Sequence, residues 1–206
     1  MIVYKITDTC VSIMPKVVPE YKEEARRRII EAAIAEADER GFSNLKMENV
    51  ASRLDISRAT LYLYFKSREE LISSALAFIR SWLSDVLQDA FSRDTFEDTF
   101  SAIFENIIFP GDGTRMNAVL EVYAGAVRDD VLHEAVKENY SAIVGMIAGY
   151  LEEQKTMGRL SEDLDTDLSA RIISSIILGI KMGVAAGLGR EDAHRIWDAA
   201  VRRVLV

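Results

Sequence analysis

A short segment, residues 57–68, concentrates side chains that can bind double-stranded DNA. Arg58 carries a guanidinium that can donate two hydrogen bonds to the edge of one guanine. The hydroxyl groups of Tyr62 and Tyr64 can reach phosphates, and a lysine and an arginine follow at the end of the segment. These residue types in this order predict recognition of a DNA groove and its backbone.

The apolar spacing around this segment predicts the elements that position it. Residues 47–54 carry apolar side chains at i, i+3, i+4 and i+7, the pattern of a short amphipathic helix. After Asp55 the chain restarts at Ser57, a good N-cap, and continues through Leu61 and Phe65. Two short helices joined by a tight turn predict a helix-turn-helix, whose second helix fits a major groove about 12 Å wide. An ordinary helical hairpin with a tyrosine-rich packing face gives the same spacing.

The residues from Ile56 to Leu71, ISRATLYLYFKSREEL, resemble the N-terminal DNA-binding domain of the TetR family of transcriptional regulators. Gly41-Phe42 and Val50-Ala51 belong to the same resemblance, which covers about residues 22–76. It implies a homodimeric regulator, usually a repressor, whose two DNA-binding heads occupy the half-sites of a palindromic operator. It also implies a C-terminal helical domain that binds a small effector.

The resemblance implies base and phosphate contacts along the second helix of the motif and a phosphate contact at Arg68. Two positions depart from the family pattern. Lys46 stands where the family usually has a Ser or Thr cap. Loss of the cap costs about 0.5–2 kcal/mol of helix stability, but the lysine offers a positive charge to a phosphate. Asp55 stands where glycine is usual, and Asp tolerates the left-handed conformation better than most residues. The predicted DNA-binding residues are Lys46, Ser57, Arg58, Ala59, Thr60, Tyr62, Leu63, Tyr64, Lys66 and Arg68.

Helical spacing continues through almost the whole chain, which predicts an all-α fold of about nine helices. We divide the chain into a leader at 1–21 that is a candidate for disorder, a helix-turn-helix domain at 22–68 and a helical effector-binding and dimerisation domain at 69–206. Translation starting at Met1 and translation starting at Met14 both fit the leader.

Three features predict helix boundaries after the DNA-binding segment. A capping box of Ser67 with Glu70 opens a fourth helix that runs to about Phe91. A second box, Asp94 with Glu97, opens the next helix. The residues from 110 to 113, PGDG, form the clearest loop.

Aromatic and methionine side chains recur at helical spacing in the middle of the second domain. Such side chains can line an apolar effector cavity, or they can be plain core. The candidate pocket residues are Phe96, Phe100, Phe104, Met116, Tyr123, Tyr140, Met146 and Tyr150.

The last two helices are candidates for the dimer interface. Glycines recur every four residues on the first of them, which permits close approach of another helix, and the second has one apolar face. Two such helices from each subunit form a four-helix bundle in the family. Packing of both faces inside one subunit remains the alternative. The candidate interface residues are Gly179, Gly183, Gly187, Ile196, Trp197 and Val204.

Composition excludes several other classes of protein. The net charge of −8 is divided as +2 over residues 1–68 and −10 over the rest, so the chain is a poor candidate for nonspecific coating of nucleic acid, while the N-terminal part can still bind DNA locally. Cys10 is the only cysteine and His133 and His194 are the only histidines, which predicts no metal site, no cofactor and a reducing cytoplasm. No nucleotide-binding or hydrolase motif is present, so we predict that the protein is not an enzyme.

The most apolar stretch, residues 172–188, has Lys181 in its middle, which predicts a buried helix and no membrane partner. From the resemblance and the aromatic residues of the second domain, we expect the chain to bind operator DNA as a homodimer and to be released by a small, largely apolar effector. A helical DNA-binding or adaptor protein without an effector is the alternative.

Overall fold

The computed structural model describes residues 19–110 and 116–205. Within these ranges the chain forms helices and no strand, which confirms the all-α prediction. Residues 1–18 of the predicted leader, with the alternative start at Met14, and the glycines of the 110–113 loop lie outside the described residues, whereas residues 19–21 of that leader belong to α1. The helices are α1 Pro19–Arg40, α2 Met47–Arg53, α3 Arg58–Tyr64, α4 Arg68–Phe91, α5 Phe96–Ile103, α6 Met116–Gly125, α7 Asp130–Thr156, α8 Thr166–Ala185 and α9 Arg190–Val204.

An N-terminal core holds α1, α2, α3 and the first turns of α4 together. Leu61 and Phe65 from the α3 region and Leu71 from α4 are fully buried in it. Val122 of α6 and Leu132 of α7 join the same core, so the helix-turn-helix rests on the helices that follow it. The orientation of α3 is therefore set by the buried side that packs into this core.

A second core lies between the C-terminal helices and the far half of α4. Leu87 of α4, Leu151 of α7 and Ile173 of α8 are buried in it. Trp197 of α9 is fully buried, and its indole N–H donates a 2.9 Å hydrogen bond to the Phe100 carbonyl. Helix α4 thus contributes side chains to both cores.

The start of α5 lies one residue later than the predicted Asp94–Glu97 box. Thr95 is the N-cap in extended conformation, and its Oγ1 accepts a 3.1 Å hydrogen bond from the Asp98 backbone N–H. The same hydroxyl donates to the Asp98 carboxylate at 2.6 Å, so Thr95 and Asp98 are the hydrogen-bonded pair. After α5 a π-helical turn, Phe104–Ile108, widens the helix.

The predicted row of three glycines on α8 is wrong, because α8 ends at Ala185. Gly187 follows the helix with φ of 99°, a left-handed value that glycine adopts without strain. The Leu188 N–H returns to the Gly183 carbonyl at 2.8 Å, and the Leu188 side chain covers Gly183. Of the two glycines that lie within the helix, only Gly179 has open space where a Cβ would stand.

Helix α8 is long and apolar enough to cross a membrane by length and composition. It packs against both α7 and α9, and its polar residues Ser169, Ser174 and Lys181 are buried. Only 33% of the apolar stretch is buried within this chain, so the buried helix expected from the sequence is confirmed only in part.

Candidate DNA-binding surface and ligand cavity

Helix α3 presents the predicted DNA-reading face to solvent. Its N-cap Ser57 accepts a 3.0 Å hydrogen bond from the Thr60 backbone N–H, and the two hydroxyls are 2.8 Å apart. Leu61 is fully buried, which turns the opposite side of the helix outward. Side chains exposed on this side are Arg58, Ala59, Tyr62 and Leu63, the last with 78% of its surface accessible.

The turn between α2 and α3 is tight, as the sequence predicts. Asp55 adopts φ of 53°, which confirms that Asp takes the left-handed position there. The Ile56 N–H bonds back to the Ala51 carbonyl at 3.1 Å. Lys46 is the N-cap of α2 and its side chain makes no capping hydrogen bond, so its exposed ammonium is available to a phosphate.

Arg58 is held over the exposed face of α3 by two partners. Its guanidinium lies 2.7 Å from the Glu48 carboxylate of α2 and 3.5 Å from the Tyr62 hydroxyl. The same group lies 5.6 Å from the centre of the Tyr62 ring. Because these contacts are exposed, they are weak enough to be exchanged for a base edge.

Tyr64 and Lys66 lie where α3 passes into α4. Tyr64 is half-buried and its carbonyl accepts a hydrogen bond from Arg26, whose guanidinium lies 4.2 Å from the centre of the Phe65 ring. The Lys66 side chain is exposed, while its backbone N–H donates to Glu70 at 2.7 Å. The Ser67 hydroxyl accepts from the Glu70 N–H at 3.1 Å, which confirms the first capping box.

Arg68 performs a structural task that the sequence did not indicate. Its guanidinium donates to the backbone carbonyls of Leu45 and Phe42, both at 2.9 Å, and of Ser43 at 3.0 Å. The three acceptors belong to the turn between α1 and α2. Arg68 therefore ties the start of α4 to the entrance of the helix-turn-helix, whatever contact it makes with phosphate.

We expect Arg68→Ala to lower the free energy of unfolding by about 2–3 kcal/mol, because hydrogen bonds to a charged donor contribute more than neutral ones. DNA affinity falls by a similar factor on specific and random sequences, since the residue reads no base. Chemical denaturation and gel shifts on both DNAs measure the two effects. Unchanged stability would contradict the structural role.

Buried Glu36 fastens α1 to α2. Its carboxylate accepts hydrogen bonds from Asn49 at 2.6 Å and Arg53 at 3.2 Å, and Arg40 lies at 3.2 Å. Burial raises the pKa of this carboxyl, but these hydrogen bonds and the two arginine charges outweigh it, so the pKa is lowered. A lowered pKa means that the carboxylate stabilises the fold near neutral pH and ceases to do so as the pH falls through that pKa.

A cavity of about 100 Å³ lies among α4, α6, α7 and α8. Helix α4 contributes Trp82 and Leu83, and α8 contributes Ile177 and Lys181. The remaining wall is mostly apolar and aromatic, as is usual for small-molecule sites. It consists of Ile79, Leu87, Ile107, Pro110, Tyr123, Asn139, Tyr140, Ile143, Ser174 and Leu178.

Two of the predicted pocket residues, Tyr123 and Tyr140, line this cavity. The structure places five others in the C-terminal core instead. They pack around the region of α5 and Trp197, where Tyr150 stacks on Phe91 at 4.4 Å and donates to the Thr99 hydroxyl at 3.2 Å. The Met116 side chain lies outside the described part of the chain. The five core residues are Phe96, Phe100, Phe104, Met146 and Tyr150.

The predicted interface residues on α8 and α9 fall into a buried group and an exposed group. Trp197 is fully buried and Val204 is half-buried in the core of this chain. Ile196 remains 45% exposed, and Gly179 is exposed on α8. The structure also leaves large apolar side chains exposed on α8 that the sequence did not single out, namely Leu168, Ile172 and Met182.

Comparison with known proteins connects both parts of the chain to one family. Residues 29–75 match the model of bacterial regulatory proteins of the tetR family, and residues 96–206 match the C-terminal model of BetI-type transcriptional repressors. The chain is 25% identical to the HTH-type transcriptional regulator UidR of Escherichia coli over 82% of this chain and 84% of that one.

Solved structures show the same fold. A TetR-family transcriptional regulator from Rhodococcus sp. superposes with a TM-score of 0.80 at 23% identity, covering 89% of this chain and all of that one. A transcriptional regulator from Saccharomonospora viridis, solved in complex with choline, gives a TM-score of 0.73 at 21% identity over 87% and 96% of the two chains. With a helix-turn-helix at one end and a matched regulator domain at the other, the chain belongs to the TetR family of transcriptional regulators and is a DNA-binding protein, not an enzyme.

Proposed function

We propose that the protein is a cytoplasmic repressor that binds a palindromic operator as a homodimer and leaves it when a small molecule occupies the cavity described above. One observation carries this proposal: a single helix, α4, begins at the helix-turn-helix and forms a wall of the cavity. The choline complex of the Saccharomonospora viridis relative supports small-molecule binding in this fold.

The length of α4 explains how a ligand can act on DNA binding. Arg68 at its first turn is bonded to the turn before α2, while Ile79 to Leu87 face the cavity. At 1.5 Å per residue this wall begins about 16 Å and ends about 28 Å from the start of the helix. A ligand that displaces the cavity end of α4 therefore shifts α3 in the same movement.

Small shifts of α3 are sufficient to release DNA, because the recognition helices of both subunits must fit major grooves at a fixed spacing. Half-sites lie about 34–36 Å apart, or a multiple of that spacing, and the recognition helices must match it. A ligand that binds the displaced form about 100-fold better than the DNA-bound form shifts the equilibrium by ~2.7 kcal/mol. That shift is enough to release an operator at modest protein concentration.

The test begins with DNA taken from upstream of the protein's own gene, since such regulators often bind near themselves. A footprint should show that the protein protects an inverted repeat. The protection should disappear when a competing unlabelled repeat is added. Once a releasing ligand is found, calorimetry with and without operator measures reciprocity. Operator must weaken ligand binding by the factor by which ligand weakens operator binding. Equal ligand affinity in the two titrations would rule out release by the ligand.

Base reading is expected to depend on Arg58. Replacement by Ala should cost about 1–3 kcal/mol of operator affinity and should relax the sequence preference at one base pair of each half-site. Glu48→Gln is the matched variant, because it removes the acidic partner of Arg58 and leaves the arginine in place. We expect it to strengthen binding. Gel shifts on the operator and on single-base variants measure both effects, and an even loss across all sequences would contradict base reading by Arg58.

A further inference from the structure

The centre of the exposed face of α3 is apolar. Because successive side chains on a helix are turned by about 100°, Ala59 and Leu63 each point about 160° away from the fully buried Leu61 between them. Both are exposed, and Leu63 has 78% of its surface accessible. The part of α3 that points most directly away from the protein therefore carries hydrocarbon groups and no hydrogen-bonding side chain.

Hydrogen-bonding side chains lie on the flanks of this apolar centre. Arg58 and Tyr62 are on one flank, turned by about 60° and 100° from Leu61, and the guanidinium lies 3.5 Å from the tyrosine hydroxyl. Thr60 is on the other flank, about 100° from Leu61 in the opposite sense, and its hydroxyl lies 2.8 Å from that of Ser57. A base edge that meets the middle of α3 therefore meets the apolar centre first.

The position of Leu63, and not its exposure alone, indicates an apolar partner on DNA. Single exposed leucines are ordinary on protein surfaces, but this one lies in the middle of the candidate DNA-reading face. In the major groove the edges of guanine, adenine and cytosine present hydrogen-bond donors and acceptors, whereas thymine also presents its 5-methyl group. A leucine packed on a donor or acceptor removes it from water without a new hydrogen bond, which is unfavourable. Thymine is therefore the base whose edge matches this side chain.

We propose that Leu63 determines operator specificity by packing against the 5-methyl group of one thymine in each half-site. This inference rests on the proposed function, in which the protein binds a palindromic operator. Ala59, one turn earlier on the same face, has a short side chain that lets the helix approach the base edges closely. The contact with Leu63 is made without a hydrogen bond, so it depends on the methyl group and not on the polar edge of the base pair.

The test begins with a library of random duplexes, from which the full chain selects the sequences that it binds. In the selected inverted repeat, each thymine is replaced by uracil together with its counterpart in the other half-site. Uracil keeps the base pair and lacks only the methyl group. Because burial of one such group is equivalent to about a fourfold change in affinity, the loss of two should weaken binding about 15-fold. Gel shifts should show this loss for at least one symmetric pair of thymines.

Leu63→Ala removes the side chain that contacts the methyl group. We expect this variant to bind the thymine and uracil duplexes equally. Leu63→Met is the conservative variant and should keep the preference for thymine, because its side chain stays apolar and similar in volume. Val127→Ala is the matched control and should also keep it, since it shortens an apolar side chain that is 83% exposed outside the helix-turn-helix. A preference for thymine that survives Leu63→Ala assigns the methyl contact to another residue and overturns the inference.

Failure of this inference is distinguishable from failure of the proposed function. If the library yields no enriched sequence, the chain reads no operator and both fail. If an inverted repeat is enriched but no pair of uracils weakens binding by more than about twofold, operator binding holds and the inference fails. The uracil comparison uses the unmodified protein, so it is independent of how the variants fold.

Discussion

Replacing Trp197 with Ala lowers the free energy of unfolding by about 3–5 kcal/mol, the range measured for large aromatic residues in protein cores. The indole is fully buried, lies edge-on to the Phe100 ring at 5.9 Å and donates its N–H to the Phe100 carbonyl. Truncation therefore creates a cavity and removes one of the two hydrogen bonds that the Phe100 carbonyl accepts, the other coming from the Phe104 backbone N–H. Since whole domains are stable by only about 5–15 kcal/mol, this variant loses a large part of its stability.

Urea denaturation at several protein concentrations measures this effect and separates core from interface. A residue that packs within its own chain loses the same free energy at every concentration, whereas an interface residue loses more when dissociation contributes. Trp197→Phe is the graded control, because it keeps most of the ring contact and loses the N–H donor. A loss below about 1 kcal/mol for Trp197→Ala would show that the α9 packing described here is wrong.

The helix-turn-helix could be predicted from the sequence because local rules determine it. The cap at Ser67 depends only on a backbone N–H in the first turn of its own helix. The left-handed conformation of Asp55 depends only on the reversal of the chain between two neighbouring helices. The outward face of α3 follows from burial of Leu61, which the apolar spacing already indicates.

The cavity could be predicted only in part, because periodicity shows that a helix has an apolar face but not which neighbour that face meets. Phe96 and Phe100 have the spacing of a pocket lining, yet α5 turns them toward Trp197 and Tyr150. Trp82 on the apolar face of α4 lines the cavity and was not selected. The clearest available signal was Lys181, a charge in the middle of an apolar run.

Long-range contacts also explain why the role of Arg68 and the end of α8 were missed. The carbonyl groups that Arg68 binds lie more than twenty positions earlier in the chain, and no side-chain pattern marks them. A glycine every fourth residue fits a helix face, but Gly187 is used to end the helix, where its lack of a side chain permits φ of 99°. The same residue type satisfies both demands, so spacing alone could not choose between them.

Dimerisation through the exposed side of α8 is expected to be abolished by Ile172→Glu. A stripe of exposed residues runs along this helix at spacings of four and three, the repeat by which two helices pack against each other. It consists of Leu168, Ile172, Ser175, Gly179 and Met182, with Ile196 of α9 also exposed. The small residues in its middle permit close approach, since nothing lies within 4 Å of a Cβ built on Gly179.

A carboxylate at position 172 would face its counterpart or an apolar surface across the twofold axis, and burying an unpaired charge costs several kcal/mol. The Ile172→Glu variant should sediment as a monomer at micromolar concentration while keeping its helical content. Operator affinity should fall by about 10²–10⁴, because two linked heads gain this factor from effective concentration and one head does not. Val127→Glu is the matched control, since Val127 is an apolar residue that is 83% exposed away from this stripe. An Ile172→Glu variant that stays dimeric would show that the interface lies elsewhere. An unmodified protein that is monomeric at the same concentration would show that there is no such interface, and would contradict operator binding by two linked heads.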